Sequence, residues 1–579
     1  MKRIAAIAML LFLGLPVFAR GANASSESDA APKLVVGIVV DQMRYDFIYR
    51  YWNRYGNGGF KRLINEGAFY RNAEFNYVPT FTGPGHSSIF TGAEPASHGI
   101  IANNWYDRAL GKTVYCVEDT NCAPVGSDSA RDGKMSPAKL LVTTITDELR
   151  LSDNYRSRVI GISLKDRAAI LPAGHLANGA YWFDDQSGRW ITSTYYTSKL
   201  PEWASNFNAS GWAADYLTNR FETWTNLMAY PESLPNGNVY EKKLTAEETH
   251  RGFPHELHRL FEAARANRYE IIRYTPFGNS LTEDFAEAAI VGEELGKHET
   301  DFLTINFAST DYVGHKFGPR SMEVEDTYVR LDQTLERFLA FLDECQWIGR
   351  TNVMVFLTAD HGVADVPEYN RDMGLPGGIF HWNHARENLS VRLGNKYGGP
   401  LILNYINQQI YLDAKFIETN KLDKSKIEED IRDWLMPEEG VADVISTRGL
   451  KSEAGSSAIY ADLANGINPS RSGDLIILLQ SGWTEEEDAL TATTHGTPYQ
   501  YDTHVPILFW GWQIPHLICD EPVTTTEITP TICQLLKIQF PSASINQVLP
   551  GLCNDPTVPP RRRHPRRAAE RQSSEAPPK

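Results

Sequence analysis

Three aspartates and three histidines in this chain sit where a metal-dependent hydrolase would need them. Asp41, Asp311 and Asp360 each follow a short apolar run. His315 lies four residues beyond Asp311, His361 is the residue after Asp360, and a further histidine opens the sequence His495-Gly496-Thr497-Pro498. Carboxylate oxygens are hard ligands and imidazole nitrogens borderline ones. Together they hold a divalent ion with positions left open for substrate, and such centres do hydrolysis. A lone histidine is usually structural. Two Asp/His pairs and a third aspartate at the ends of separate apolar runs are hard to explain that way.

These groups need elements that bring them together. Leu34–Val40, 302–308 and 353–357 are short, continuous and rich in β-branched residues. They read as strands buried on both faces of a parallel sheet. Ligands of such sheets bind just past the carboxyl ends of the strands. Val159–Ser163 is another strand candidate, ending at Lys165. Helical patterns at about 45–66, 281–295 and 324–345 alternate with these runs. The expected fold is therefore α/β: a doubly wound, mostly parallel central sheet, helices on both faces and cap-like insertions. One catalytic unit is expected over residues 34–556. It carries an aromatic, Asn/Ser-rich insertion near 180–235 and a mixed α+β insertion near 366–490.

Three further pieces suit an anion. In Thr82-Gly-Pro-Gly-His86, Thr82 reads as an N-cap, Pro84 suits a first helical turn, and Gly92 can end a short helix. A hydroxyl there faces free N–H groups and the positive end of a helix dipole, a place for a phosphoryl group. Asn103, after His98-Gly99-Ile100, can donate to a phosphoryl oxygen. Lys165 and Arg167 follow a strand one residue apart. In an extended segment they project to one side and grip an anion as a point charge and a planar fork.

The order of these pieces resembles the alkaline phosphatase superfamily from about residue 34 to 550. Thr82 with His86 and Asn103 after His98-Gly99-Ile100 resemble its threonine-nucleophile branch, which includes the nucleotide pyrophosphatase/phosphodiesterases. Thr, Asn, Lys and Arg together resemble the phosphate-irrepressible alkaline phosphatases of bacterial periplasms. The resemblance implies Thr82 as nucleophile and two zinc ions. One zinc would be held by Asp311, His315 and His495. The other would be held by Asp41, Asp360, His361 and the Thr82 hydroxyl. Asn103, Lys165 and Arg167 would bind substrate. The Asp-Ser-Ala motif of serine-type relatives, which use a third metal, is missing here. Lys165 is expected to supply that charge, so no magnesium is expected. The activity implied is hydrolysis of small-molecule phosphate monoesters through a phospho-threonine. A phosphodiesterase or nucleotide pyrophosphatase on the same two-zinc site is the alternative. A noncatalytic metal-stabilised binding protein would lack a ligand or the nucleophile, and none is missing.

Composition bounds the rest. The 579 residues are 42% hydrophobic with a formal net charge of −16, which argues against nucleic-acid partners. Lys2 and Arg3, the apolar stretch 4–18 and Ala22-Asn23-Ala24 predict a cleavable signal peptide over residues 1–24, with Val17-Phe18-Ala19 a second candidate cut. The apolar stretch is too short for a stable membrane anchor. A periplasmic or secreted protein is expected, with a polar leader over 25–33. Six cysteines suggest disulfides, Cys116–Cys122 and Cys519–Cys553 being candidate pairs. The Pro/Arg-rich tail 557–579 is expected to be disordered.

Overall fold

The computed structural model describes residues 31–129, 132–485, 490–544 and 547–553. The expected signal peptide and the basic tail lie outside these residues. No helix among the described residues is long and apolar enough to cross a membrane.

Every residue of Leu34–Val40 is buried, as a continuous apolar run in the middle of a two-faced sheet must be. This strand, β1, belongs to an eleven-stranded sheet. In chain order the others are β2 (Ala68–Glu74), β3 (Pro124–Val125), β4 (Val159–Ser163), β5 (Gly179–Asp184), β6 (Arg189–Ser193), β7 (Asp301–Phe307), β8 (Val353–Thr358), β9 (His504–Gly511), β10 (Leu517–Cys519) and β11 (Val523–Thr524). The spatial order is β10-β2-β9-β8-β1-β7-β4-β5-β6-β3, with β11 also paired to β2. The middle, β8-β1-β7-β4-β5, is parallel. β9 and β6 flank it antiparallel.

Register decides where the chemistry lands. Val40 pairs with Phe307, Val39 with Thr358, and Ser163 with Asn306. β1, β4, β7 and β8 therefore end level, and the residues that follow them leave the sheet along one edge. Helices cover the faces. The longest, Met322–Glu344, starts on a Ser321 cap that accepts from Val324 N and buries Val324, Tyr328, Leu331, Leu335, Phe338 and Leu342. That spacing is one helical face.

The expected insertion near 180–235 begins inside the sheet rather than over it. Residues 179–193 form β5 and β6, and Trp182 and Trp190 are buried. The aromatic run is core because Trp190 stacks on Phe285 of the helix Phe277–Gly292, ring centroids 4.3 Å apart. Residues 402–479 build a separate four-stranded sheet, Ile402–Ile406, Gln409–Leu412, Leu475–Leu479 and Val441–Ser446 in spatial order. It has an apolar cluster of its own around Leu389, Ile410, Ile427 and Ile477. The stretch 45–66 holds two short helices, Asp46–Arg50 and Phe60–Glu66, instead of one. The expected disulfides are not formed: the cysteines are thiols.

Candidate active site

Asp41 leaves β1, Asp311 lies in the first turn of the helix Ser309–Phe317 after β7, and Asp360 and His361 leave β8. His495 arrives on a loop before β9. All five are buried. Asp41, Asp360 and His361 offer ligand atoms that all lie within 4.8 Å of one another, and so do Asp311, His361 and His495. His361 thus stands between the two groups, its ring stacked on His495 at 3.5 Å. His315 joins the second group through Asp311, with Nε2 3.2 Å from Oδ1. His495 Nε2 is 3.7 Å from the same oxygen.

The imidazoles are set up as ligands. Nδ1 of His315 bonds the Thr493 carbonyl at 2.8 Å, Nδ1 of His495 the Thr80 carbonyl at 2.7 Å, and Nδ1 of His361 the Gly362 carbonyl at 2.9 Å. A carbonyl only accepts, so Nδ1 carries the proton and Nε2 keeps its lone pair. Burial pushes the His361 imidazole down to about 4 and holds His495 well below its usual range. At neutral pH both are uncharged donors.

The donor set fits divalent metal. Asp41 Oδ1, Asp360 Oδ2 and His361 Nε2 are buried with no hydrogen-bond partner. His361 Nε2 lies 3.7 Å from Asp41 Oδ1 and 3.5 Å from Asp360 Oδ2. Two atoms bound to one tetrahedral zinc sit about 3.3 Å apart, given bonds of ~2.0–2.1 Å. Such separations are long for hydrogen bonds and right for a shared ion. Burial and the Asp41 charge raise the Asp360 carboxyl far above the usual carboxylate range, which marks a pocket short of positive charge.

Lys165 answers part of that need. Its ammonium is 2.6 Å from Asp311 Oδ2 and 2.8 Å from Asp41 Oδ2. Lys165 is the N-cap of the helix Asp166–Ala173, and Arg167 lies in that helix's first turn. The expectation that both project from an extended segment is therefore corrected. The chain turns helical at Asp166, and the two cations part. Lys165 points among the carboxylates, while Arg167 Nη1 donates to Tyr115 Oη at 3.1 Å.

Thr82 is the first residue of the helix Thr82–Thr91 rather than its cap, which is Phe81. Gly92 ends that helix in the left-handed region, φ 65°. Thr82 is buried. Gly85 lets this helix approach the segment that carries Asp360, since a Cβ there would stand 2.4 Å from the Asp360 carbonyl oxygen. Asn103 Oδ1 accepts from Gly83 N at 2.8 Å, which places this side chain beside Thr82.

Several supporting residues have no local sequence signal. Gln42 donates from Nε2 to Asp311 Oδ1 at 2.8 Å and from N to Asp360 Oδ1 at 3.2 Å. Its φ of 63° is unfavourable for glutamine and aims the backbone N–H at Asp360. Asp502 accepts from Gly496 N, Thr497 N and Thr497 Oγ1, bracing the His495 loop. A polar residue directly after a strand aspartate was the only available hint for Gln42.

Comparison with known proteins agrees with this architecture. A model of the family described as type I phosphodiesterase / nucleotide pyrophosphatase matches residues 35–502. The chain is 44% identical to alkaline phosphatase PhoV of Synechococcus elongatus over 90% of its own length and 93% of that protein. It is 44% identical to alkaline phosphatase PafA of Elizabethkingia meningoseptica over 89% and 93%. A crystal structure of wild-type PafA superposes with a TM-score of 0.84, covering 90% of this chain and 98% of that one, at 43% identity. A second PafA structure, with TM-score 0.84 and 42% identity over 90% and 98% of the two chains, carries substitutions at a threonine, an asparagine, a lysine and an arginine. Those four are spaced along PafA as Thr82, Asn103, Lys165 and Arg167 are spaced here. The chain belongs to the type I phosphodiesterase / nucleotide pyrophosphatase family of the alkaline phosphatase superfamily.

Proposed function

We propose that this protein is an alkaline phosphatase that hydrolyses small-molecule phosphate monoesters to an alcohol and inorganic phosphate, acting in the periplasm or outside the cell after its signal peptide is removed. The observation that supports it most is 44% identity to two alkaline phosphatases over about nine-tenths of the chain, together with two buried Asp/His groups that could hold metal ions and with Thr82, Asn103, Lys165 and Arg167 at the spacing of the residues substituted in PafA.

Two zinc ions, one at Asp311, His315 and His495 and one at Asp41, Asp360 and His361, would supply Lewis-acid stabilisation of oxygen charge on the nucleophile and leaving group. Thr82 Oγ1 gives its proton to bulk water, which returns one to the departing ester oxygen, and attacks phosphorus in line. The bond to the ester oxygen breaks, the alcohol departs, and Thr82 is left phosphorylated. Water then attacks the same phosphorus, the bond to Thr82 breaks, and inorganic phosphate leaves. Asn103 and Arg167 hold the non-bridging oxygens throughout. Lys165 lowers the net negative charge that the aspartates present to an incoming anion.

Phosphodiester hydrolysis is the second reading, favoured by the description of the matching family model. Charge separates the two. A monoester brings two negative charges at alkaline pH and a diester one, so Arg167 favours the monoester. The test is kcat/KM for an aryl phosphate and for its methyl diester, with metal analysis of the same sample. A higher rate on the monoester is expected. Preference for the diester would replace the phosphomonoesterase reading.

A further inference from the structure

Arg167 is half-buried, at the wall of a cleft of about 300 Å³ also lined by Tyr115, Lys165 and Asp166. A long side chain there needs something to hold it. Its Nε is buried without a partner, and Nη1 donates to Tyr115 Oη. The Tyr115 hydroxyl in turn donates to Asp166 Oδ1, which also accepts from Arg167 N at 2.6 Å. The phenol thus closes a ring of hydrogen bonds around the first turn of the helix Asp166–Ala173. Burial and the neighbouring Asp166 charge hold its pKa far above the usual range, so it remains a hydroxyl at alkaline pH.

Tyr115 reaches this place on a hairpin with a second connection to the site. Strands Asn104–Asp107 and Lys112–Tyr115 pair antiparallel, Asn104 opposite Tyr115. Cys116 N donates to the Asn103 carbonyl at 2.9 Å. One end of the hairpin therefore delivers Asn103 to Gly83, and the adjoining end delivers Tyr115 to Arg167. The separate four-stranded sheet clamps the hairpin from behind. Asn407 Nδ2 donates to the Asn104 carbonyl at 2.6 Å, and Arg108 donates to the Ser472 carbonyl at 2.7 Å and to Asp474 Oδ2 at 3.0 Å. A rigid two-stranded support of this kind fixes side-chain position better than a loop does.

We infer that Tyr115 is a positioning residue that fixes the Arg167 guanidinium for the phosphoryl group, on a hairpin that sets Asn103 and Arg167 as one unit. This rests on the reading of Arg167 as a phosphoryl-binding group. The hydrogen bonds of Tyr115 Oη run to Arg167 and Asp166, and neither of these is among the candidate metal ligands. Its effect passes through Arg167 and vanishes when Arg167 is gone.

The test is a double-mutant cycle on the full-length, metal-loaded enzyme, reading kcat/KM for an aryl phosphate and the inhibition constant of inorganic phosphate. Tyr115→Phe should lower kcat/KM about 10-fold, the scale of one charge-assisted hydrogen bond, and weaken phosphate inhibition in step. In an Arg167→Ala background it should do nothing further. Asp166→Ala, which frees the phenol from its acceptor, should show the same dependence on Arg167. Equal losses in both backgrounds, or no loss from Tyr115→Phe, would overturn the positioning role. Wild-type kcat/KM and phosphate inhibition in Arg167→Ala alone would instead overturn the reading of Arg167 on which it rests.

Discussion

The Lys165 ammonium and the Asp311 carboxylate form an ion pair 2.6 Å long, almost wholly withdrawn from solvent. The same ammonium holds Asp41 at 2.8 Å, so one lysine joins the two groups that could hold metal ions. Asp311, despite burial, is held well below the usual carboxylate range by His315 and Lys165. Lys165 therefore acts first as an internal counter-ion.

Lys165→Met should expose that role. Removing one partner of a buried pair strands the other and costs about 3–5 kcal/mol. The loss should be large in chelator-treated protein and smaller with zinc, because bound cations take over the neutralisation. Melting temperatures with and without chelator measure it. The same drop in both conditions would mean that Lys165 has no such role.

Thr82→Ala should lower kcat by about 10⁴-fold or more, because the proposed nucleophile is gone. Thr82→Ser should retain measurable turnover, since a hydroxyl remains at the helix start. Acid-quenched wild-type enzyme should carry label from a radioactive phosphate substrate on Thr82. Wild-type turnover in the alanine variant would remove Thr82 from the chemistry.

Chelation should abolish activity, and zinc alone should restore it, at close to two ions per chain. The motivation is the pair of ligand groups sharing His361, with Lys165 present among the same carboxylates. A requirement for added magnesium in full recovery would count against Lys165 standing where a third metal would be.

Another buried histidine, His255, should make stability depend on pH. His255 lies between Glu248 at 2.9 Å and Glu323 at 3.4 Å, with neither glutamate exposed. Burial pushes the imidazole down, but the hydrogen bonds and charges of both glutamates outweigh it and raise its pKa to about 9. Glu241 nearby is raised to about 9 as well, by burial and the Glu323 charge. A His pKa raised above its unfolded value of about 6.5 adds stability that is complete below pH ~6.5 and lost as pH climbs through 9. His255→Asn should therefore cost roughly 3 kcal/mol near pH 6 and much less near pH 10. Denaturant unfolding at the two pH values reads the difference. A cost independent of pH would show that His255 is neutral in the folded protein.

Much of the site is legible in the sequence. An apolar run that ends on an aspartate states both its burial and its exit, and parallel sheets collect such exits at one edge. Asp41, Asp311, Asp360 and His361 follow from that rule alone. Thr82, Asn103 and Arg167 were legible as residue types in a recognisable order, not as geometry.

What the amino-acid sequence determined by itself was local: which runs are strands, which residues follow them, and which side chains can ligate or attack. Only the tertiary structure decided who partners whom. Lys165 meets Asp311 across 146 positions and Gln42 meets the same carboxylate across 269. Tyr115 reaches Arg167 from 52 residues away. Residues 179–193 lie in the sheet with Trp190 packed on a helix nearly a hundred residues later. No periodicity or spacing encodes such contacts. They arise from strand register and from the burial of charge, where a buried cation must find a buried anion wherever the chain has placed one.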